Sequence, residues 1–233
     1  MNVIITGATK GMGRAIAEQF AAAGHHIVAC ARTEKDLLTF KNDFAKRFPN
    51  ILVTTQTLDV SDAEQIKAFS RLIIKEEIAP DILVNNAGYF VPGSIHNEAE
   101  GQLHKMMEAN VYGAYHLSRA LLPLMMKRKQ GHIFNIVSIA AIQSLPNVGA
   151  YGISKYALMG LTKHLREEMK PFGIKVTAVL PGATFSSSWD GSGVDPKRIM
   201  EVNDVAKMVF AASQLSSMAV VEDIVLRPQL GDL

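Results

Sequence analysis

Tyr151 and Lys155, in the stretch YGISK, set a phenol and an ammonium group four positions apart. Residues i and i+4 share a helix face, so both side chains can serve one cleft. Free tyrosine titrates at ~10 and exchanges protons poorly at neutral pH. At ~6 Å and an effective dielectric of ~20, an ammonium favours phenolate by about 2.8 kcal/mol, or about two pK units, with desolvation acting in the opposite sense. The chemistry offered is proton transfer. Such pairs also arise on ordinary helix faces, so the neighbouring motifs must decide.

A second constellation lies at the N-terminus, where the apolar run VIIT leads into TGATKGMG. Gly7, Gly11 and Gly13, placed between a first strand and a first helix, allow a tight turn and let a pyrophosphate approach the backbone over the helix N–H groups. The spacing is G-x-x-x-G-x-G rather than G-x-G-x-x-G. It predicts a dinucleotide on Thr6, Gly7, Lys10, Gly11, Met12 and Gly13. The second strand ends ACART, so Ala31 stands where an acid would bond the adenosine ribose, and Arg32 follows it. Arg32 and Lys10 suit a 2′-phosphate, which makes NADP(H) the expected cofactor.

The elements that must carry these groups are legible in the hydrophobic pattern. Apolar runs rich in Val and Ile occur at 3–6, 26–31, 51–60, 81–86, 132–137, 175–180 and 223–228. Near-continuous apolar strands are buried on both faces, as in a parallel sheet. Helix-patterned stretches at 14–23, 34–48, 62–78, about 98–129, 149–172 and 203–214 separate them, several stopped by Gly or Pro. The alternation predicts an α/β fold, a doubly wound Rossmann-type parallel sheet of seven strands with helices on both faces and right-handed crossovers. One domain over 1–233 is expected. Residues 183–200, rich in Ser and Gly around Trp189, read as a substrate loop at a strand's carboxyl end, with Trp189 packing on the substrate or lid.

In this order the motifs resemble those of the short-chain dehydrogenase/reductase family over essentially the whole chain. TGxxxGxG is met by residues 6–13, NNAG by Asn85, Asn86, Ala87 and Gly88, and the helix asparagine by Asn110 in EANVYG. The family serine is met by Ser138 in NIVSIAA, YxxxK by Tyr151 and Lys155, and the PG turn by Pro181 and Gly182. The resemblance implies the sheet order 3-2-1-4-5-6-7. It also implies that Asp59 and Val60 contact adenine, that Asn86 with Ala87 and Gly88 lines the cofactor near its ribose, and that Thr184 meets the nicotinamide carboxamide.

For the chemistry, the resemblance implies hydride transfer to a carbonyl, whose oxygen then needs hydrogen bonds and a proton. Tyr151 would donate the proton, Ser138 would hold the substrate oxygen, and Lys155 would also bind the nicotinamide ribose. Asn110 would fix a water relaying protons to Lys155. Plainer roles stay open: Ser138 capping a loop, Asn110 bracing a helix, Asp59 capping a strand end, Asn86 bracing the sheet. Val137 stands where many relatives carry a second serine.

The expected function is NADP(H)-dependent reduction of a small ketone or aldehyde, the alternatives being a 3-oxoacyl-carrier-protein-type reductase and a non-catalytic NADP(H)-binding sensor or scaffold. No cation cluster around 183–200 marks a carrier-protein dock. Relatives pair through helices here near 101–129 and 150–172, so a homodimer or homotetramer is expected.

Composition agrees with these readings. The 233 residues carry 24 basic and 22 acidic side chains for a net charge of +2, scattered along the chain, which gives no reason to expect nucleic acid or an anionic membrane as partner. No apolar run approaches the ~20 residues of a membrane span, and no leader is visible, so a cytoplasmic protein is expected. Cys30, the single cysteine, excludes an intrachain disulfide and reads as a buried structural thiol. The seven histidines show no metal-ligand spacing, so no metal is expected and all read as structural or solvated.

Overall fold

The computed structural model describes residues 1–232 apart from 187, 188, 190 and 192. Its strands are β1 (Asn2–Thr6), β2 (His26–Ala31), β3 (Val53–Thr57), β4 (Pro80–Asn85), β5 (Gly131–Ile136), β6 (Ile174–Pro181) and β7 (Asp223–Leu226). All pair in parallel in one sheet of order β3-β2-β1-β4-β5-β6-β7, the expected topology. The helices between are α1 (Gly11–Ala22), α2 (Glu34–Arg47), α3 (Ala63–Lys75), α4 (Gln102–Met107), α5 (Gly113–Arg128), α6 (Gly149–Met169) and α7 (Val202–Ser213).

Strand alternation distributes the core between two faces. Val3, Ile5, Ile27 and Ala29 point to one side, where Phe20 of α1, Phe40 and Phe44 of α2 and Val209 of α7 bury them. Ile4, Val28 and Cys30 point to the other, under Phe69 of α3, Leu121 of α5 and Leu165 of α6. Burial holds the Cys30 thiol well above its ordinary pKa, as befits a structural side chain.

Two expectations need correction. Strand β3 stops at Thr57 rather than running to residue 60, because the chain turns there: Asp59 Oδ1 accepts from the backbone and hydroxyl of Ser61 (2.9 and 2.7 Å), and Asp62 caps α3. The long helix expected near 98–129 is divided, with a π-helical turn at Glu108–Tyr112 between α4 and α5. A π turn widens the helix where a side chain must be placed for another purpose, and here it carries Asn110. Gly113 follows because α5 passes so close to Val60 that an added Cβ would lie 2.7 Å from its carbonyl oxygen.

Below the catalytic end, a buried polar web ties strands to helices. Asn85 Nδ2 donates to Asn135 Oδ1 (2.8 Å) and to Ser118 Oγ (3.1 Å), and Asn135 Nδ2 donates to Thr162 Oγ1 (2.9 Å). These bonds join β4, β5, α5 and α6, and in a buried setting each is costly to break. Arg166, also buried, donates to the Val176 carbonyl (3.0 Å) and Asp223 (2.7 Å), fastening α6 to β6 and to the edge strand β7.

His132 is buried on β5 and stacks on Phe134 at 3.9 Å. Its Nε2 lies 2.8 Å from Thr177 Oγ1, which itself donates to the Val221 carbonyl (2.6 Å), so Nε2 carries a hydrogen and donates it. Burial, with a smaller contribution from Lys175, pushes its pKa down to about 3. The unfolded chain protonates His132 at ~6.5 while the native state does not, so this group's contribution is complete above that pH and is lost on acidification by about 1.4 kcal/mol per pH unit. We expect urea denaturation at pH 6.5 and pH 5 to show His132→Asn losing about 2 kcal/mol less than the wild type. Equal losses would refute the role given to this ring.

Candidate active site

The site lies at the carboxyl ends of the strands, around the crevice between β1 and β4 where the strand order reverses. A cleft of about 260 Å³ opens there, lined by Gly7, Lys10, Gly11, Arg32, Asp59, Val60, Asn86, Ala87 and Gly88 among others. Its floor is a clamp between two loops. Thr6 Oγ1 accepts from the backbone N–H groups of Asn86 and Ala87 (3.0 and 2.9 Å), while Asn86 Nδ2 donates to the carbonyls of Thr6 and Gly7 (2.9 and 3.2 Å). The clamp explains the glycines. A Cβ on Gly13 would sit 2.3 Å from the Gly7 carbonyl oxygen and 2.4 Å from Asn86 Nδ2, and Gly7 adopts φ +65°. The cradle is bare backbone at the N-terminus of α1, which fits a pyrophosphate.

The other residues named for the cofactor fall into two groups. Lys10 and Arg32 are exposed and face the same cleft end, but Asp36 from the first turn of α2 joins them, an acid that sequence reasoning missed. The three leave a single net positive charge. Asp59 lines the cleft although its carboxylate also serves the turn to Ser61, so the strand-end cap and the cleft position coexist. Met12, by contrast, packs against the core and is not among the residues that line the cleft. Pro181 and Gly182 close β6, with Gly182 N–H donating to the Leu226 carbonyl (2.8 Å). Thr184 is buried and donates to the Gly182 carbonyl (2.9 Å) rather than lining the cleft.

Tyr151 and Lys155 sit in the first two turns of α6, and Ser138 leaves β5. Val148 provides no side-chain cap for α6; instead Glu98 Oε2 accepts from Ala150 N–H at 3.2 Å. Ser138 Oγ accepts from Ala140 N–H (3.1 Å), as the loop-capping reading foresaw, and it stands close enough to the Tyr151 hydroxyl to pull its pKa down. Lys155 is buried, its Nζ 5.5 Å from the centre of the Tyr151 ring and donating to the Ile136 carbonyl at 2.9 Å.

The expected separation of the pair is therefore met, but the expected lowering of the phenol is not. Burial raises the Tyr151 pKa, with the Ser138 bond pulling weakly the other way. Burial also pushes Lys155 down to about 8. Desolvation outweighs attraction because the ammonium is turned onto the Ile136 carbonyl in a setting that disfavours every charged form.

Asn110 is buried with its amide fully engaged. Oδ1 accepts from Tyr89 N–H (2.7 Å), and Nδ2 donates to the Tyr89 carbonyl (3.0 Å) and to Ser154 Oγ (2.9 Å). Ser154 in turn donates to the Tyr151 carbonyl at 2.8 Å. The side chain thus braces the loop after β4 against α6.

The profile of the family described as short chain dehydrogenase matches residues 1–193. The chain belongs to the short chain dehydrogenase family. It is 35% identical to a sepiapterin reductase of Chlorobaculum tepidum, over 99% of this chain and 97% of that protein. Among solved structures it resembles the L-sorbose reductase of Gluconobacter frateurii complexed with NADPH and L-sorbose, at 29% identity and a TM-score of 0.89 over 97% of this chain and 95% of that one. It also resembles an alcohol dehydrogenase of the archaeon Thermococcus sibiricus complexed with 5-hydroxy-NADP, at 25% identity and a TM-score of 0.92 over 100% and 98% of the two chains.

Several residues of this short chain dehydrogenase site escaped sequence reasoning. Ser154, Glu98 and Asn135 act through buried or capping bonds that leave no local motif. Asn85 belongs to the NNAG motif, but strand alternation turns it inward to the polar web while Asn86 faces the cleft. The loop 183–200 is tied at its base by a parallel bridge between Thr184 and Met200 and reaches Ser186 to the cleft beside Gly11. Trp189 is half-buried there; Ser187 and Ser188, also singled out in the sequence, lie outside the described residues. Tyr112 of the π-helical turn, Tyr115 of α5, and Ile153 and Tyr156 of α6 are exposed on the helices expected to pair between copies. Among the described residues no group of three or more His, Cys, Asp or Glu side chains converges as a metal site would, and no helix is long and apolar enough to cross a membrane.

The glycine cradle yields a direct test. Gly13→Ala drives a Cβ into a backbone carbonyl that the Asn86 clamp holds in place, and should cost about 1–3 kcal/mol in urea denaturation. Gly160→Ala, a control in α6 with nothing within 4 Å of the added Cβ, should be neutral or stabilising. Equal stability of the two variants would contradict the tight packing of Gly13 against Gly7.

Proposed function

We propose that this protein is an NADP(H)-dependent oxidoreductase that reduces a small ketone or aldehyde, with Tyr151 as proton donor. The observation that carries the reading is the convergence of Ser138, Tyr151 and Lys155 at the carboxyl edge of β5 and the start of α6, on the same edge of the sheet as the glycine-cradled cleft. The NADPH complex of the sorbose reductase and the 5-hydroxy-NADP complex of the alcohol dehydrogenase support the cofactor assignment, as do Lys10 and Arg32 at the cleft end.

NADPH, when bound, supplies hydride to the carbonyl carbon. The protein's task is to hold the carbonyl and to meet the charge that grows on its oxygen. Ser138 Oγ accepts from Ala140, so its own hydrogen is available to a partner oxygen. It holds the substrate oxygen beside the Tyr151 hydroxyl, which delivers its proton as the alkoxide forms. The raised pKa of Tyr151 keeps the phenol protonated at neutral pH, the state a donor requires. Lys155, fixed by the Ile136 carbonyl, offers its remaining hydrogens to the ribose of the nicotinamide and favours negative charge on Tyr151 after the proton has left.

Two measurements test this. Tyr151→Phe should lower NADPH oxidation with a responsive carbonyl at least ~100-fold while NADPH still binds, as read by its fluorescence. NADPH binding with no turnover of any carbonyl, by the wild type or the variant, would favour a sensor instead. Arg32→Asp combined with Lys10→Ser should move preference from NADPH towards NADH by at least ~10-fold in kcat/KM, since it removes two cations and adds an anion where the 2′-phosphate would lie. An unchanged preference would remove both residues from cofactor selection.

A further inference from the structure

We infer that Phe90 is a specificity-determining residue, selecting carbonyl substrates that carry an uncharged aromatic ring next to the C=O group; the inference rests on the reductase reading above. Phe90 leaves the NNAG loop and sets its ring edge-on to that of Tyr151, with centroids 4.8 Å apart and planes at 77°. It remains 39% exposed, so much of the ring is uncovered beside the proposed proton donor. A substrate whose oxygen reaches the Tyr151 hydroxyl brings its flanking group close to this ring.

The platform is held rigidly. Phe90 begins a short arch whose ends are both pinned. At one end Asn110 grips the N–H and the carbonyl of Tyr89. At the other, Gly93 N–H donates to the Asn147 carbonyl (2.8 Å), the Gly93 carbonyl accepts from Gly149 N–H (2.9 Å), and Ser94 Oγ donates to Asn147 Oδ1 (2.6 Å). The contact is too close for side chains: a Cβ on Gly93 would lie 2.8 Å from Glu98 Cβ, and one on Gly149 would lie 2.5 Å from Ile95 Cγ1. A ring fixed in advance loses little freedom when a flat partner stacks on it.

Charge points to the same substrate class. Residues 90–94 and 139–148, which flank Tyr151 and Ser138 in the fold, contain no Asp, Glu, Lys, Arg or His. Glu98, just beyond, is held by the α6 N-terminus, and the Arg198 guanidinium by the carbonyls of Leu230 and Gly231. Ile142 and Phe185, four residues after Ser138 and one after Thr184, are each 47% exposed and add apolar surface to the segments around the site. A carboxylate or phosphate beside this wall would lose hydration without gaining a partner. A polyhydroxylated ketone would find Ser94 and Asn147 already bonded to one another.

The test compares kcat/KM with NADPH for acetophenone, cyclohexyl methyl ketone, dihydroxyacetone and pyruvate. Acetophenone and its saturated counterpart differ in the ring alone, and the change in their ratio on mutation cancels intrinsic reactivity. Phe90→Ala should reduce the acetophenone to cyclohexyl methyl ketone ratio about five- to tenfold, whereas Phe90→Tyr, which keeps the ring, should hold it within twofold. Dihydroxyacetone and pyruvate should be poorer substrates than acetophenone for the wild type. A ratio unmoved by Phe90→Ala, or a wild-type preference for pyruvate or dihydroxyacetone, would overturn the assignment of Phe90 while leaving the reductase reading intact. Failure of the wild type to turn over any of the four would overturn both.

Discussion

The amide of Asn110 holds together the parts on which the site depends. Its oxygen and nitrogen grip both backbone groups of Tyr89, and its second hydrogen reaches Ser154, which bonds the carbonyl of Tyr151. One side chain thereby sets the position of the loop after β4 relative to the helix that carries the phenol. The amide reaches these partners from a π-helical turn, and that turn divides what would otherwise be one long helix. An aliphatic residue of similar size would leave the N–H and carbonyl of Tyr89 without these partners in a buried setting, where each costs about 1–3 kcal/mol.

Around that brace the electrostatics are governed by burial more than by attraction. Burial pushes the Lys155 pKa down to about 8, and the phenol of Tyr151 is raised rather than lowered. A protein that needed a phenolate here would place the ammonium against the phenolic oxygen; this one anchors it on a backbone carbonyl. For delivery of a proton to an alkoxide, that arrangement is adequate, because the alkoxide is the far stronger base and needs only a protonated, well-placed donor. Geometry, not acidity, is what the fold supplies.

The architecture was legible in the sequence because its signals are local and repeated: apolar β-branched runs between helix-period stretches, with Gly or Pro at their ends. The glycine turn was legible for the same reason, since Gly13 tolerates no Cβ and Gly7 requires a positive φ. Asn110, Ser138, Tyr151 and Lys155 stood out through motifs and are brought together by the fold, although motifs said nothing of how Asn110 is bonded or which way the Tyr151 pKa moves. Those depend on burial and on partners distant in the chain, such as Ser154 and Ile136. Asp36 was missed because one acid in the first turn of a helix looks like an ordinary response to the helix dipole.

The charge along the site is distributed unevenly, and the unevenness has a physical consequence. Lys10 follows β1, Arg32 and Asp36 follow β2, and all three line the cleft exposed to solvent. Residues 90–94 and 139–148, around Tyr151, carry no charge; the charged groups beside it are the buried ammonium of Lys155 and the Glu98 carboxylate held at the α6 N-terminus. Exposed cations attract an anionic ligand over the ~8 Å reach of electrostatics in physiological salt, and they cost little because water still solvates them. A charge placed beside Tyr151 would instead act at short range in a low-dielectric setting and would shift both Tyr151 and Lys155. Separating charged recognition at one end of the cleft from neutral surroundings at the other allows ligand attraction to be changed, as at Asp36, without disturbing proton transfer.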